Sequence, residues 1–328
     1  MKKSLLASAM AAAVVLSTSV AMAAPGDITV DGNAYYQYRN NSGSTAAGDK
    51  RINKTAVFLN VKGDLGGNWS VYSQFAAQGA NGGKDFQSDV YTNDKEFAAG
   101  LNQFGFQYTG DTSTVKIGRQ DLILGSGLFY DITGKLGRHS LLDGVTWTGK
   151  ADALSYQVVA AQEDRSRGDG QASKNKMYAA HVDYAATPDF TVGATYANYK
   201  YKDSSFKLGD KQTVNAYAMN LGYSFGAANV FAEYGKTNNS NDNKAYQYGV
   251  GYQFDDKNKA SATYYKVEAL GDLNGNTTFD TGEKGMYYSY THTFTKAVNV
   301  NVFYKDSKNV KNDNIKDKSF RATVNYNF

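Results

Sequence analysis

Cysteine is missing altogether from the 328 residues, and proline occurs only twice. The first absence excludes a disulfide framework and any thiolate-ligated metal. The second leaves long stretches free of the residue that interrupts a β-ladder. Histidine is scarce too: His139, His181 and His292 stand far apart, without the HxxxH or HExxH spacing of a metalloenzyme. Gly-rich GSGLFYDITG (125–134) lacks the Lys and the following helix of a phosphate loop. The formal net charge is only +4, and two of those charges are Lys2 and Lys3, so no basic surface for nucleic acid is offered. Beyond the first segment no run approaches the ~20 apolar residues of a membrane helix. A mean hydropathy of −0.52 would suit a soluble protein. It would equally suit a membrane barrel, whose strands are apolar on one side only.

What is present begins with a leader. MKKSLLASAMAAAVVLSTSVAMA has a charged start, a short apolar stretch and small residues at Ala21 and Ala23. It reads as a secretory signal, residues 1–23, cleaved after Ala23, leaving a single domain over 24–328. Tyrosine (26), phenylalanine (17) and glycine (33) are abundant. Apolar residues recur at every second position from end to end, as in Tyr217, Met219, Leu221 and Tyr223, or Tyr246, Tyr248, Val250, Tyr252 and Phe254. Sixteen such sets predict sixteen strands. The opposite faces carry Gln37, Asn60, Gln74, Gln107, His181, Glu233, Gln247 and Asn301. Tyr and Phe gather at the ends of the apolar sets, where amphipathic rings suit a boundary between hydrocarbon and water. Short connections (near 63–68, 110–113, 148–152, 185–189, 225–228, 255–258 and 295–297) alternate with long polar ones (near 40–53, 79–97, 121–143, 163–176, 202–213, 237–244, 268–285 and 306–318). The pattern predicts an all-β, transmembrane antiparallel β-barrel with a greasy outside and a wet lumen, its turns on the periplasmic side.

SFRATVNYNF (319–328) puts Phe320, Ala322, Val324, Tyr326 and Phe328 on one face and polar residues on the other. Backbone groups in a bilayer must all be paired, so this strand is expected to close the barrel against the first. The alternation with a terminal aromatic, together with VKIGRQDLILGSGLFYDITGKLGRHSLLDGVTW (115–147), resembles the Gram-negative outer-membrane porin family across essentially the whole mature chain. The resemblance implies an integral outer-membrane protein in contact with lipid, a homotrimer, and a water-filled channel for passive diffusion of ions and small hydrophilic solutes. It implies no enzyme. It also implies that the third extracellular loop, 121–143, folds into the lumen, which would explain its apolar Leu122, Ile123, Leu124, Leu128 and Phe129.

Such channels oppose loop carboxylates to a basic wall. The residues at the corresponding places are Asp121, Asp131 and Asp143, with Lys135, Arg138 and His139 in the loop itself, against Arg39, Lys54, Lys116 and Arg321 at polar-face positions. Arg119 falls on the apolar parity of Val115 and Ile117, so it is expected near the rim or past a bulge. No dense arginine run is present, so strong ion selectivity is not expected. DLNGNTTFDTGE (272–283) spaces Asp272, Asn274, Asn276, Asp280 and Glu283 as a calcium loop would, although Thr277 stands where the sharp turn wants Gly. An ordinary polar loop uses the same residues. No cofactor is called for beyond such a structural calcium. Two other functions compete: a channel selective for a sugar or organic acid, and a surface barrel serving adhesion, reception or hydrolysis. A barrel of sixteen strands, wide enough for an aqueous channel, favours transport.

Overall fold

The computed structural model describes residues 26–43, 50–81, 90–93, 96–166, 172–203 and 207–328, and the expected leader lies outside them. In chain order the strands are β1 (Ile28–Gly43), β2 (Lys50–Gly66), β3 (Trp69–Ala80), the two-residue β4 (Thr92–Asn93), β5 (Phe97–Thr109), β6 (Ser113–Gln120), β7 (Leu142–Ala151), β8 (Leu154–Ser166), β9 (Ala172–Ala185), β10 (Phe190–Lys200), β11 (Thr213–Phe225), β12 (Ala228–Thr237), β13 (Lys244–Gln253), β14 (Asn258–Val267), β15 (Glu283–Thr293), β16 (Val298–Asn309) and β17 (Lys316–Asn327). A 3-10 turn occupies Arg138–Ser140. Each of the sixteen long strands coincides with one of the sixteen apolar sets.

Every long strand pairs antiparallel with its neighbours in the chain, β3 reaching past β4 to β5. The ring closes where β1 meets β17, in register from Asn33 opposite Asn327 to Gly43 opposite Asp317. The long strands thus form a closed ring, which is the condition for a sheet in hydrocarbon. Among the described residues no helix is long and apolar enough to cross a membrane. Gly66, Gly67 and Asn68 all have positive φ, which tightens the β2–β3 hairpin into a two-residue turn.

The two faces of the sheet differ as alternation requires. On β11, Tyr217, Met219, Leu221 and Tyr223 are exposed while Ala216 and Ala218, on the other parity, are buried. The same outward set recurs around the ring in Trp69, Val71 and Phe75, in Phe104 and Phe106, and in Tyr248, Val250 and Tyr252. Water would tolerate so broad an apolar belt poorly; lipid makes it the stable exterior. Rings mark both borders of the belt. Trp69–Tyr108, Trp147–Tyr156, Tyr252–Phe254 and Tyr326–Phe328 pair at the short-turn end, with centroids 4.9–5.7 Å apart. Tyr38–Phe320, Tyr196–Tyr217 and Tyr288–Tyr304 pair toward the long-loop end.

The strands outrun the apolar sets, so several connections are shorter than the pattern suggests. β1 and β2 stay paired to Asn41 opposite Lys50, β8 and β9 to Ser166 opposite Ala172, and β16 and β17 to Lys308 opposite Lys316. A backbone ladder needs apolar side chains only where it faces lipid, and beyond that border a polar hairpin continues unhindered. One irregularity matters for the site. The β3–β5 register shifts between Gln74 and Phe75, leaving Asn102 of β5 without an opposite residue. The bulge re-aims that amide: Nδ2 donates to Gln74 Oε1 (2.7 Å) and Lys135 O (3.3 Å), and Oδ1 accepts from Gly137 N (2.8 Å).

Candidate pore constriction

The main apolar cluster of the molecule forms around residues 121–141. Leu122, Leu124, Leu128, Phe129, Tyr130 and Ile132 are buried against Val159 of β8, Ala179 of β9, Ala197 of β10, Ala216 and Ala218 of β11, and Ala245 of β13. The segment folds back on itself first, with Leu124 N donating to Tyr130 O (3.0 Å) and Ile132 N to Leu122 O (2.9 Å). Gly125 and Gly127, both at positive φ, make that reversal. Gly235 of β12 admits the segment, because a Cβ there would lie 2.3 Å from Phe129 Cζ.

Polar contacts fix the same segment at several strands. Ser126 donates to Glu233 of β12, and Gln247 of β13 donates to Ser126 Oγ (2.6 Å) and Glu233 Oε2 (3.1 Å). Gln157 of β8 donates to Ile123 O (3.1 Å). Tyr130 donates to Glu163 (3.1 Å), a fully buried carboxylate at the end of β8 that also accepts from Tyr199, Asn274 and Asn276. Nothing in the period-two pattern marks Glu163; its role follows from elements distant in sequence.

Three of the four wall candidates come together. Arg39 of β1 lies opposite Arg321 of β17, and Lys54 of β2 lies opposite Gln37, two residues along β1. Among the described residues neither Arg39 nor Arg321 is in an ion pair. Their Nε atoms donate to Asn41 Oδ1 (2.8 Å) and Ser319 Oγ (3.3 Å), and the Arg321 guanidinium lies 4.9 Å from the Phe303 ring. Lys116 stands apart on β6, donating to Gln103 Oε1 (3.1 Å) with its ammonium 4.6 Å from the Tyr72 ring.

The segment's own candidates divide. Asp121 borders a space of about 570 Å³ whose other walls include Tyr35, Gln37, Phe58, Asn301 and Thr323. Asp131 accepts from Thr133 N (2.9 Å), Thr133 Oγ1 (2.6 Å) and Thr278 Oγ1 (2.7 Å), which ties the segment to residues 268–282. Lys135 is exposed, while Arg138 and His139 are half-buried in or beside the 3-10 turn. Asp143 does not belong to the loop: it lies in β7 opposite Arg119, bonded to its Nε at 3.2 Å. The Arg119 guanidinium rests 4.8 Å from the outward Phe104 ring, in keeping with its apolar parity.

The five residues of the calcium-like loop do not converge. Asp272 accepts from Gly275 N (2.5 Å) and Thr281 inside its own turn. Asn274 and Asn276 turn their Nδ2 donors toward Glu163. Asp280 and Glu283 bond Lys305 of β16 at 2.7 and 3.3 Å, and Asp317 of β17 joins them at 2.6 Å. Lys305, 2% exposed, sits among the three carboxylates that a cation would need. Asn274 Oδ1 accepts from Asn276 N, and an ammonium already occupies the carboxylates, so this donor set does not fit calcium.

A family model described as Gram-negative porin matches residues 7–312. No curated protein matches the chain. Among solved structures, OmpF of Salmonella typhi in complex with daunomycin is similar at a TM-score of 0.62 and 16% identity, covering 92% of this chain and 98% of that one. A triple mutant of Rhodopseudomonas blastica porin gives 0.59 and 11%, covering 92% and 100%. A loop-deleted OmpT of Vibrio cholerae gives 0.59 and 12%, covering 92% and 99%. With a closed barrel, a lipid-suited exterior and a family match over nearly its full length, the chain belongs to the Gram-negative porin family and is an integral outer-membrane diffusion channel.

Proposed function

We propose that residues 121–141 lie inside the barrel and narrow its channel to a gap between their Asp121 end and the β17–β1–β2 wall bearing Arg39, Lys54 and Arg321. One observation carries this reading: the segment bonds residues of β5, β8, β12 and β13, and a short segment can reach strands so far apart only from within a cylinder. Small hydrophilic solutes and ions pass through the gap, and its cross-section sets the size limit. Three basic groups opposite Asp121 give a modest preference for anions, tempered by Asp280 and Asp317 near Arg321. A charge at ~8 Å in water contributes about 0.5 kcal/mol, roughly a two-fold effect before salt screening. Three copies associate in the membrane through part of the apolar exterior, as the family resemblance implies, after removal of residues 1–23.

Planar-bilayer recording tests the reading. The purified protein is expected to give a large ohmic conductance and a reversal potential on the anion side in a salt gradient. The Arg39→Ala, Arg321→Ala double variant is expected to move that potential toward cations. A wild-type protein that conducts nothing would overturn the channel; an unmoved potential would overturn the assigned wall. Bands at three times the monomer mass on unboiled gels, lost on boiling, would bear on assembly, and an N-terminus at Ala24 on leader removal.

A further inference from the structure

We propose that the open side of the lumen is a binding track for neutral saccharides, a specificity that rests on the channel reading above. The ~570 Å³ space beside Asp121 has an unusual lining for an ion path. Asn33, Gln37, Asn60, Gln74, Gln103 and Asn325 supply amides, and Asp121 is the one charged group on it. Arg39, Lys54 and Arg321 are not part of that lining, and the Lys54 ammonium stands behind it, 5.8 Å from the centre of the Tyr35 ring. Two aromatic rings complete it: Tyr35 of β1 and Phe58 of β2, centroids 6.3 Å apart and inclined by 30°, form a stacked pair on the inner wall. Passage of ions and water calls for no phenyl ring there.

The amides are held, not loose. Lys116 donates to Gln103 Oε1 (3.1 Å), Gln103 to Gln74 Oε1 (3.2 Å), Gln74 to Asn60 Oδ1 (2.8 Å), and Asn60 to Asp31 Oδ1 (2.6 Å). This chain crosses β6, β5, β3, β2 and β1 in one direction, from a cation to a carboxylate, so each bond polarises the next. Gln74 and Asn60 each spend one N–H in it and keep a second for a solute. The lining continues toward the short-turn end. Asn301 donates to Ser289 Oγ (2.9 Å) and Thr291 Oγ1 (3.0 Å), which border a second space of about 300 Å³ with Asn229, Phe231, Gln253 and one cation, Lys259.

Sugars match this chemistry on both counts. A hydroxyl donates and accepts at once, as a fixed amide does, and the C–H face of a pyranose is apolar enough to lie on an aromatic ring. Organic acids and phosphates would require Arg or Lys in the space beside Asp121, which has neither.

Single-channel recording with maltose and maltotriose tests the assignment, with gluconate and a polyethylene glycol of matched size as comparators. The sugars are expected to interrupt the current saturably, with half-effect at about millimolar concentration. Tyr35→Ala and Phe58→Ala are each expected to weaken that effect at least tenfold while the pore still conducts. Phe58 also packs beside Leu136, so Asn301→Ala serves as a second variant, expected to shorten sugar residence at least three-fold. Equal interruption by the polymer, stronger interruption by gluconate, or unchanged sugar kinetics in all variants would overturn the saccharide track while leaving the channel intact. A protein without conductance would overturn both.

Discussion

The two sides of the barrel interior are built from different material. From β8 to β13 the inward positions include Val159, Ala179, Ala197, Ala216, Ala218 and Ala245, small or apolar and buried under residues 121–141. From β16 through β17 and β1 to β3 they are Asn301, Thr323, Tyr35, Gln37, Asn60 and Gln74, polar or aromatic and facing open space. One interior therefore contains a dry half and a wet half. On the proposed reading of residues 121–141 as a loop inside the lumen, the wall that holds it must offer the low-polarity, small-side-chain surface of an ordinary protein core.

Breaking the dry half is expected to have the largest effect. Phe129→Ala empties a site that is 1% exposed, at a cost of about 3–5 kcal/mol. The temperature of the heat-modifiable gel shift should drop, and conductance should rise as the segment loosens. Overfilling the same half with Ala216→Leu is expected to cost about 1–3 kcal/mol, whereas Thr323→Leu on the wet half should stay within about 0.5 kcal/mol. Equal losses in the two would erase the contrast. Glu233→Gln weakens the anchor at Ser126 and Gln247 by about 1–3 kcal/mol and should raise the frequency of brief current interruptions. On the wet half, Arg39→Ala is expected to change the anion-to-cation permeability ratio about two-fold, read from the reversal potential.

The smallest expected effect concerns pH at residues 268–282. Burial alone would push the Asp280 carboxyl up, but the charge and hydrogen bond of Lys305, the Tyr287 hydroxyl and the charge of Arg321 outweigh it and hold the group below the usual carboxylate range. A depressed folded-state value means that Asp280 contributes stability above the unfolded carboxylate range, near pH 4, and loses it as pH falls through the lower folded value. Glu283 and Asp317 also bond Lys305, which keeps the ammonium in place beside Asp280. Hydrogen-exchange protection of this loop, taken relative to the free-peptide rate at each pH, should be high at pH 7 and fall below about pH 4. Unchanged protection would show that Lys305 does not hold the loop.

The sequence carried the exterior better than the interior. Lipid imposes period two on every crossing, so even the short sets Val115–Ile117 and Val145–Trp147 fall in strands, β6 and β7. Polar strand extensions such as Asn175–Met177, paired with Ala161–Glu163, have no such constraint and look like loop. Inside the barrel the pattern was present but weaker: ATYANY in β10 and VNAYAM in β11 are apolar or small on both parities, as a strand covered on both faces must be. That alternation could have located the dry half. Asp143 was misplaced because the spacing of residues 121–143 does not reveal that β7 begins at Leu142. The calcium-like spacing of 272–283 was real as a sequence, but Lys305 reaches Asp280 and Glu283 only once β16 is aligned with β15, and no local pattern encodes that register.

The seam between β1 and β17 has a consequence for biogenesis. Asn33 bonds Asn327 across 294 residues, and Gly32 exchanges backbone bonds with Phe328 at 2.8 and 3.1 Å. The opening strand thus keeps a bare flank while fourteen long neighbours are laid down, and the cylinder cannot become watertight by growing from one side alone. During transit such an unsatisfied border invites pairing with strangers. A companion that shields it until the last strand docks would govern the yield of finished pores more than the strength of any single contact.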